Sequence, residues 1–260
     1  EVMRAEGIEA RTVPLGVDTD VFRPLLGMMD SDGNIFEQEK LKQMVGCPPD
    51  QFLVTMVAAN RDFRKHLEPQ FRVFADFHRK YPDSHLFIKT NASAKEGGWD
   101  LPRLWQRLFD LKKKGDVAPI SYPAADQATV DPYTLATFYN ASDVYLCCSA
   151  AEGYGLPVIE AQACSIPVIG TDYSAMRDII GSGWKLPYHK FVTPMYSYGA
   201  AVDEDALFKA LEEAYHMRGT PEYAEMKRKA REHALKYDWD KIVYGTMQRE
   251  LAEWLEEREL

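Results

Sequence analysis

Short, continuous apolar runs alternate along the chain with longer stretches in which apolar residues return every three or four positions. The first pattern suits strands buried on both faces, and the second suits helices that pack over them. Residues 52–58 form the first full apolar run, and shorter ones follow at 86–89, 117–120, 144–148, 167–170 and 184–187. Helical spacing marks 36–45, which stops at Gly46, and a segment before Tyr81-Pro82 with Phe71, Phe74, Ala75 and His78 on one face. It recurs at 100–111, with Leu104, Leu108 and Leu111 aligned, then at 132–139, in the segment opened by Pro157, and at 174–180. Three longer helices are predicted at 205–217, 221–237 and 240–257, and a short leading strand at 8–14. Strands that alternate with helices at these lengths predict one α/β unit. Its sheet is parallel and roughly six-stranded, with helices on both faces and terminal helices beyond.

Composition narrows the class of partner. At 260 residues the chain can bury a full core, and 46% hydrophobic with 27% charged residues is ordinary for a globular protein. A net charge of −9 argues against nucleic acid, which a basic face normally meets. No apolar run is long enough for a transmembrane helix, and the opening Glu-Val-Met-Arg is no signal peptide. Of Cys47, Cys147, Cys148 and Cys164, the last three fall in predicted buried segments. They read as core residues of a reducing compartment, which points to the cytoplasm.

The stretch 140–170 organises the rest: strand, glycine loop, helix, strand. Glu152-Gly153-Tyr154-Gly155 breaks the apolar run, and Pro157 fits a first helical turn. In a parallel sheet such a loop lies at the carboxyl ends of the strands, where open α/β folds bind ligands. The glycines admit a close ligand, and the N–H groups of Gly153, Tyr154, Gly155 and Leu156 offer a partial positive charge to an anion. Glu152 and Glu160 frame that site. Carboxylates suit hydroxyl groups rather than phosphate, although alone such a pair reads as solvated or as favouring the helix start. Arg61, Arg64 and Lys65 follow the first main strand on the same side of the sheet. Alone they would be a solvated basic turn.

Glu-Gly-Tyr-Gly-Leu-Pro-Val-Ile-Glu-Ala at 152–161 resembles the Glu-x7-Glu motif of the family 4 retaining glycosyltransferases, which have two Rossmann-like domains in the B-type fold. Tyr139-Asn140-Ala141-Ser142-Asp143-Val144 and Pro167-Val168-Ile169-Gly170-Thr171-Asp172 are similar to the family's flanking segments. The segment 15–24 resembles its interdomain Gly-Val-Asp…Phe-x-Pro linker. Tyr237-Asp238-Trp239 resembles the opening of its last helix, with Asp238 where Ser is usual.

The resemblance runs from about Ile8 to the end but covers only the family's carboxyl half. It implies a hinge segment and leading strand at 1–35 and a nucleotide-sugar donor-binding Rossmann-like domain at 36–260, with the amino-terminal acceptor domain missing. It implies transfer of a hexosyl group from a nucleoside diphosphate sugar with retention, no cofactor and no essential metal. Arg61 and Lys65 match the family's diphosphate-binding pair, with Arg64 the competing assignment. Glu152 takes the sugar hydroxyls and completes the catalytic set of Arg61, Lys65 and Glu152. Glu160 takes the ribose, and the base lies near Ile120 and Tyr122, where the sequence departs from the family's glycine-containing turn. The isolated chain would then be inactive, and any peripheral membrane association would go through the missing half. The rival reading is a non-catalytic nucleotide-sugar-binding or partner subunit whose acceptor domain is a separate chain.

Other constellations carry less. Asp-x-Asp occurs at Asp18/Asp20, Asp30/Asp32, Asp203/Asp205 and Asp238/Asp240, none after a convincing strand as a metal site requires. The six histidines show no ligand spacing, and Ser149 lacks a nucleophile elbow. An NAD-linked oxidoreductase is disfavoured because the first strand leads into Arg61 and Lys65 rather than a glycine fingerprint.

Overall fold

The structure is a computed structural model, which describes residues 13–29, 32–60, 63–90, 98–111, 118–123, 129–193 and 196–256. Six parallel strands form the main sheet: β1 (Phe52–Val57), β2 (Ser84–Lys89), β3 (Ile120–Ser121), β4 (Val144–Cys147), β5 (Val168–Thr171) and β6 (Gly183–Leu186). Their order across the sheet is β3-β2-β1-β4-β5-β6. The chain therefore winds outward from β1 in one direction, returns to the centre, and winds outward from β4 in the other. The reversal puts a crevice between the carboxyl ends of β1 and β4, the place where such sheets bind ligands.

Helices cover both faces. On one side lie α2 (Leu67–Lys80) and α3 (Leu101–Leu108). Phe71, Phe74, Phe77, Leu101 and Trp105 pack there against Phe52, Val54, Met56, Leu86 and Ile88. The later helix α7 (Glu204–Met217) adds Leu207 and Leu211 to the same core. On the other side lie α4 (Pro132–Ala141) and α5 (Leu156–Ala163), with the short α6 (Met176–Ile179) beside them. Tyr139, Tyr145, Val158, Ile159 and Val168 are the centre of that core, and α8 (Pro221–Ala234) closes it through Ala234. A third cluster holds α1 (Gln38–Met44) through Leu41 against Leu53 and Phe138. The strands are solid apolar runs because both faces are covered.

The six strands and their parallel pairing agree with the sequence reading, with ends that move by a residue or two. The expected strand at 117–120 is Ile120–Ser121, and residue 117 lies outside the described residues. The expected helix at 36–45 begins at Gln38. Residues 8–12 also lie outside the described residues, and Val13 and Pro14 are not in a strand. The last predicted helix is instead a π-helical stretch, Lys241–Met247, followed by α9 (Gln248–Glu256). An antiparallel hairpin was not anticipated: β7 (Tyr188–Val192) pairs with β8 (Tyr198–Val202). β7 mixes Tyr, His and Lys at partly exposed positions, and β8 is a short Tyr-Gly-Ala-Ala-Val stretch, so no apolar run announces the hairpin.

The segment before α1 is fastened to the end of the chain. Val17 N–H donates to the Tyr237 carbonyl at 2.7 Å, and Trp239 N–H to the Val17 carbonyl at 2.9 Å. A side chain at Gly16 would place its Cβ 2.3 Å from the Trp239 ring, so the crossing demands glycine. Arg231 of α8 donates to the carbonyls of Phe22, at 2.7 Å, and Ala163, at 2.8 Å, joining this segment to the end of α5. Asn140 and Asp143 of the central stretch are structural. Asn140 accepts from Leu25 N–H at 2.8 Å, and Asp143 accepts from Lys42 and Leu53 N–H, both at 2.7 Å.

Candidate functional site

The loop after β4 and the turn after β1 face each other across the crevice. Ala150 N–H donates to the Arg64 carbonyl at 2.7 Å, which locks the two backbones together. Gln70, buried on α2, braces the same junction. Its amide nitrogen donates to the carbonyls of Lys65 (2.8 Å) and His66 (2.9 Å), and its oxygen accepts from Cys148 N–H at 2.9 Å. The hairpin is tied in as well, since Ala200 N–H of β8 donates to the Ala150 carbonyl at 2.8 Å.

On this frame sits a compact charge cluster. Lys65 Nζ lies 2.5 Å from Glu152 Oε1, and Arg64 Nη1 lies 2.9 Å from Glu152 Oε2. The Glu152 side chain is 6% exposed and Lys65 12%, while Arg64, at 38%, reaches toward solvent. A carboxylate so enclosed needs paired cations, and here each oxygen has one. Arg61 lies outside the described residues. The structure thus brings together Arg64, Lys65 and Glu152 of the expected set.

Gly155 begins α5 in the left-handed region, at φ 89°, and an added Cβ would meet Ile179 Cδ1 at 2.7 Å. No side chain caps this helix start, and Pro157 occupies its first turn. The first N–H groups of α5 are therefore left without a side-chain partner, the kind of helix start that can meet an anion. Glu152 N–H itself is held by Ser174 Oγ at 3.0 Å. Tyr154 points elsewhere: its hydroxyl donates to the Leu15 carbonyl at 2.7 Å, and burial pushes its pKa up to about 12. Its side chain joins the donor loop to the leading segment, so its part in an anion site is its backbone.

Glu160 lies within α5, largely enclosed. Tyr139 Oη donates to its Oε2 at 2.7 Å. Burial raises the Glu160 pKa, while the Tyr139 hydrogen bond and the Lys89 charge at the end of β2 oppose that rise. Ile120 and Tyr122 sit on the far side of β2 from β1. Ile120 is buried in the first core, and Tyr122 packs on Trp105 with ring centres 5.2 Å apart, 41% exposed.

Sequence reasoning missed Gln70, Tyr139, Ser174 and Lys89. Gln70 had a readable signal, an amide on the apolar stripe of α2 among Phe71 and Phe74. Of the Asp-x-Asp pairs, Asp18 and Asp203 cap local turns and helix starts, and Asp238 accepts from Thr19 Oγ1. Among the described residues no cluster of three or more His, Cys, Asp or Glu is placed to hold a metal. No helix among them is long and apolar enough to cross a membrane.

Residues 128–233 match the family of glycosyl transferases group 1. The chain is 27% identical to D-inositol 3-phosphate glycosyltransferase 2 of Catenulispora acidiphila over 188 residues, which is 70% of this chain and 40% of that protein. Its fold matches the carboxyl-terminal domain of the group 1 glycosyl transferase LpcC from Francisella tularensis. That match has a TM-score of 0.62 and 18% identity, and covers 86% of this chain and 99% of that one. It also matches HepE of Anabaena, solved with UDP and glucose. Here the TM-score is 0.65 and the identity 16%, over 97% of this chain and 59% of that one. The fold is that of one domain of a B-type glycosyltransferase. The group 1 segment at 128–233, less than half of the chain, falls in the part of the fold that matches that carboxyl-terminal domain. It spans less than half the length of the curated relatives it matches.

Proposed function

We propose that this chain is the donor half of a retaining, metal-independent hexosyltransferase of family 4, which takes a nucleoside diphosphate sugar in the crevice between β1 and β4. The observation that carries this reading is the convergence of Lys65 and Arg64 on Glu152 beside the uncapped start of α5. Two cations and a helix N-terminus suit a diphosphate, and departure of that diphosphate adds charge which the same groups neutralise. In the structure these cations balance Glu152. On donor binding the phosphates take over Lys65 and Arg64, with Arg61 joining them. The Glu152 carboxylate is then released toward the sugar hydroxyls. Glu160 accepts from the ribose, and the base lies over the ends of β2 and β3 near Ile120 and Tyr122.

The acceptor would come from a separate amino-terminal domain, through which any peripheral membrane contact would also run, in the cytoplasm. HepE bound to UDP and glucose supports a donor of this class. The test is calorimetry of the purified chain with UDP, GDP, ADP and their sugars, with and without EDTA. Binding that survives EDTA is expected. Binding abolished by EDTA would overturn metal independence, and no binding of any nucleotide would overturn the donor site.

A further inference from the structure

Tyr139 is fully buried, yet it spends a hydroxyl where phenylalanine would fill the same space. Its ring is clamped edge-on by Phe22 and Tyr145, with centres 6.1 Å and 5.6 Å apart. A hydroxyl buried in an apolar cluster is costly unless it is paired. This one is paired with Glu160 Oε2 at 2.7 Å. Glu160 comes from α5 and Tyr139 from α4, so the bond crosses between two elements rather than capping one. A glutamate has three rotatable side-chain bonds, the last of them soft. A rigid donor on one carboxylate oxygen fixes all three and leaves Oε1 as the acceptor for a ligand.

We propose that Tyr139 is a positioning residue for nucleotide recognition: by holding Glu160 Oε2 it aims Oε1 at the ribose diol and so sets the preference for ribonucleoside over deoxyribonucleoside diphosphates. The inference rests on the donor-site reading above. A phenylalanine at 139 would leave Glu160 free to rotate and would remove one of the two groups that favour its ionised form, the other being Lys89. Among the described residues, the other titratable groups facing Glu160 are Tyr145 from β4 and Cys164 just past the end of α5. Neither supplies charge: the Tyr145 hydroxyl is turned to the Val57 carbonyl at 3.3 Å, and burial keeps the Cys164 thiol protonated.

The experiment measures binding of UDP, GDP and ADP and of their 2′-deoxy counterparts by calorimetry, with the wild type, Glu160→Ala, Tyr139→Phe and Glu160→Gln, each checked for cooperative melting. The wild type should prefer the ribonucleotide by about ten-fold or more, as one charge-assisted hydrogen bond supplies. Glu160→Ala and Tyr139→Phe should both bring the ratio near one, chiefly by weakening the ribonucleotide. In Tyr139→Phe the ribose preference should partly return as pH is raised and Glu160 ionises, a response that a purely structural tyrosine would not give. Glu160→Gln, which keeps its shape and the Tyr139 bond, should retain a preference above that of Glu160→Ala. A Tyr139→Phe protein with the full wild-type ratio, or a Glu160→Gln protein no better than Glu160→Ala, overturns the inference while leaving the donor site standing. A wild type without ribose preference, or without nucleotide binding, overturns the Glu160 assignment and this inference together.

Discussion

Lys65 and Glu152 meet at 2.5 Å across two loops that come from different halves of the sheet. The pair exists because β1 and β4 are neighbours although 87 residues separate Lys65 from Glu152. The carboxylate therefore competes with any anion entering the crevice for the same cations. Glu152→Gln should remove that competition. Affinity for a bare nucleoside diphosphate is expected to rise several-fold, or about 1 kcal/mol, the scale of a part-exposed ion pair. The extra affinity contributed by the sugar of the full donor should disappear, because the neutral amide accepts hydroxyls less strongly. Calorimetry with UDP and with UDP-glucose reads both effects. Unchanged affinity for both ligands would remove Glu152 from the site.

The cations can be separated from the ribose contact by what each ligand lacks. Lys65→Ala, and Arg61→Ala or Arg64→Ala where those side chains touch phosphate, should weaken a nucleoside diphosphate by about 1.5–3 kcal/mol each. The bare nucleoside should be barely affected. Lys65 should cost more than Arg64, since Lys65 is the less exposed of the two and its charge less screened. Titrations of diphosphate and nucleoside side by side are the measurement. Equal losses for the two ligands in Lys65→Ala would take that lysine off the phosphates.

The sheet and its helices were legible because every one of their runs obeys a simple period. Phe52–Val57 is apolar throughout since both its faces are covered, and α2 repeats Phe71, Phe74 and Phe77 at helical spacing. The glycine loop was legible for a related reason: Gly153 and Gly155 interrupt the pattern where a strand must turn into a helix. What escaped was pairing at long range. Nothing near Lys65 signals Glu152, and nothing near Glu160 singles out Tyr139, twenty-one residues before it. The hairpin of β7 and β8 escaped because its register, not its composition, makes it a sheet. Of the leading strand read at 8–14, only Val13 and Pro14 are described, and neither is in a strand.

Lys42 and Asp143 form the most enclosed ion pair described, at 2.7 Å with side chains 5% and 4% exposed. Lys42 also donates to the Gln51 carbonyl, and Asp143 also accepts from Leu53 N–H at the start of β1. Removing one partner strands a buried charge. Lys42→Ala should cost about 3–5 kcal/mol in urea unfolding, with nucleotide affinity of the folded fraction intact. The double change Lys42→Met with Asp143→Leu should cost clearly less than the two single changes added together. A Lys42→Ala chain as stable as the wild type would mean that the pair is relaxed by water.

Acid should loosen the β2 edge through His85. The ring is buried, its Nε2 lies 2.9 Å from Ser121 Oγ, and burial lowers its pKa to about 4. A histidine whose folded pKa is depressed stabilises the fold fully above its unfolded value near 6.5 and loses that contribution as pH falls toward 4. The shift corresponds to about 3 kcal/mol lost across that window. Burial also lowers His78, which adds in the same direction, so the comparison must be with His85→Gln. Urea melts at pH 7.5 and pH 4.5 should show a clearly smaller loss in the variant than in the wild type. Parallel losses would show that carboxylates elsewhere set the acid limit.

The chain alone should transfer no sugar. Transfer needs donor and acceptor held at bonding distance with water excluded. On the proposed reading, the described residues build one wall of such a cleft, with Lys65, Arg64, the start of α5, Glu152 and Glu160 on it. The last elements carry apolar side chains outward: Trp239 and Met247 are each 50% exposed, Tyr244 66% and Leu251 51%. Trp239 lies beside the leading segment at Gly16, where the interdomain linker of the resembled family would cross. Exposed apolar surface of this kind calls for a cover. Donor binding should survive in the isolated chain, because its groups all come from these loops. Turnover should need the amino-terminal half, supplied in cis or by mixing, and the same addition should protect Trp239 and Tyr244 from solvent. The assay follows sugar release and transfer to a panel of acceptors, with hydrogen exchange of residues 239–251 read in parallel. Robust turnover by the 260-residue chain alone would show that its own elements close the cleft, and the two-half reading would have to be abandoned.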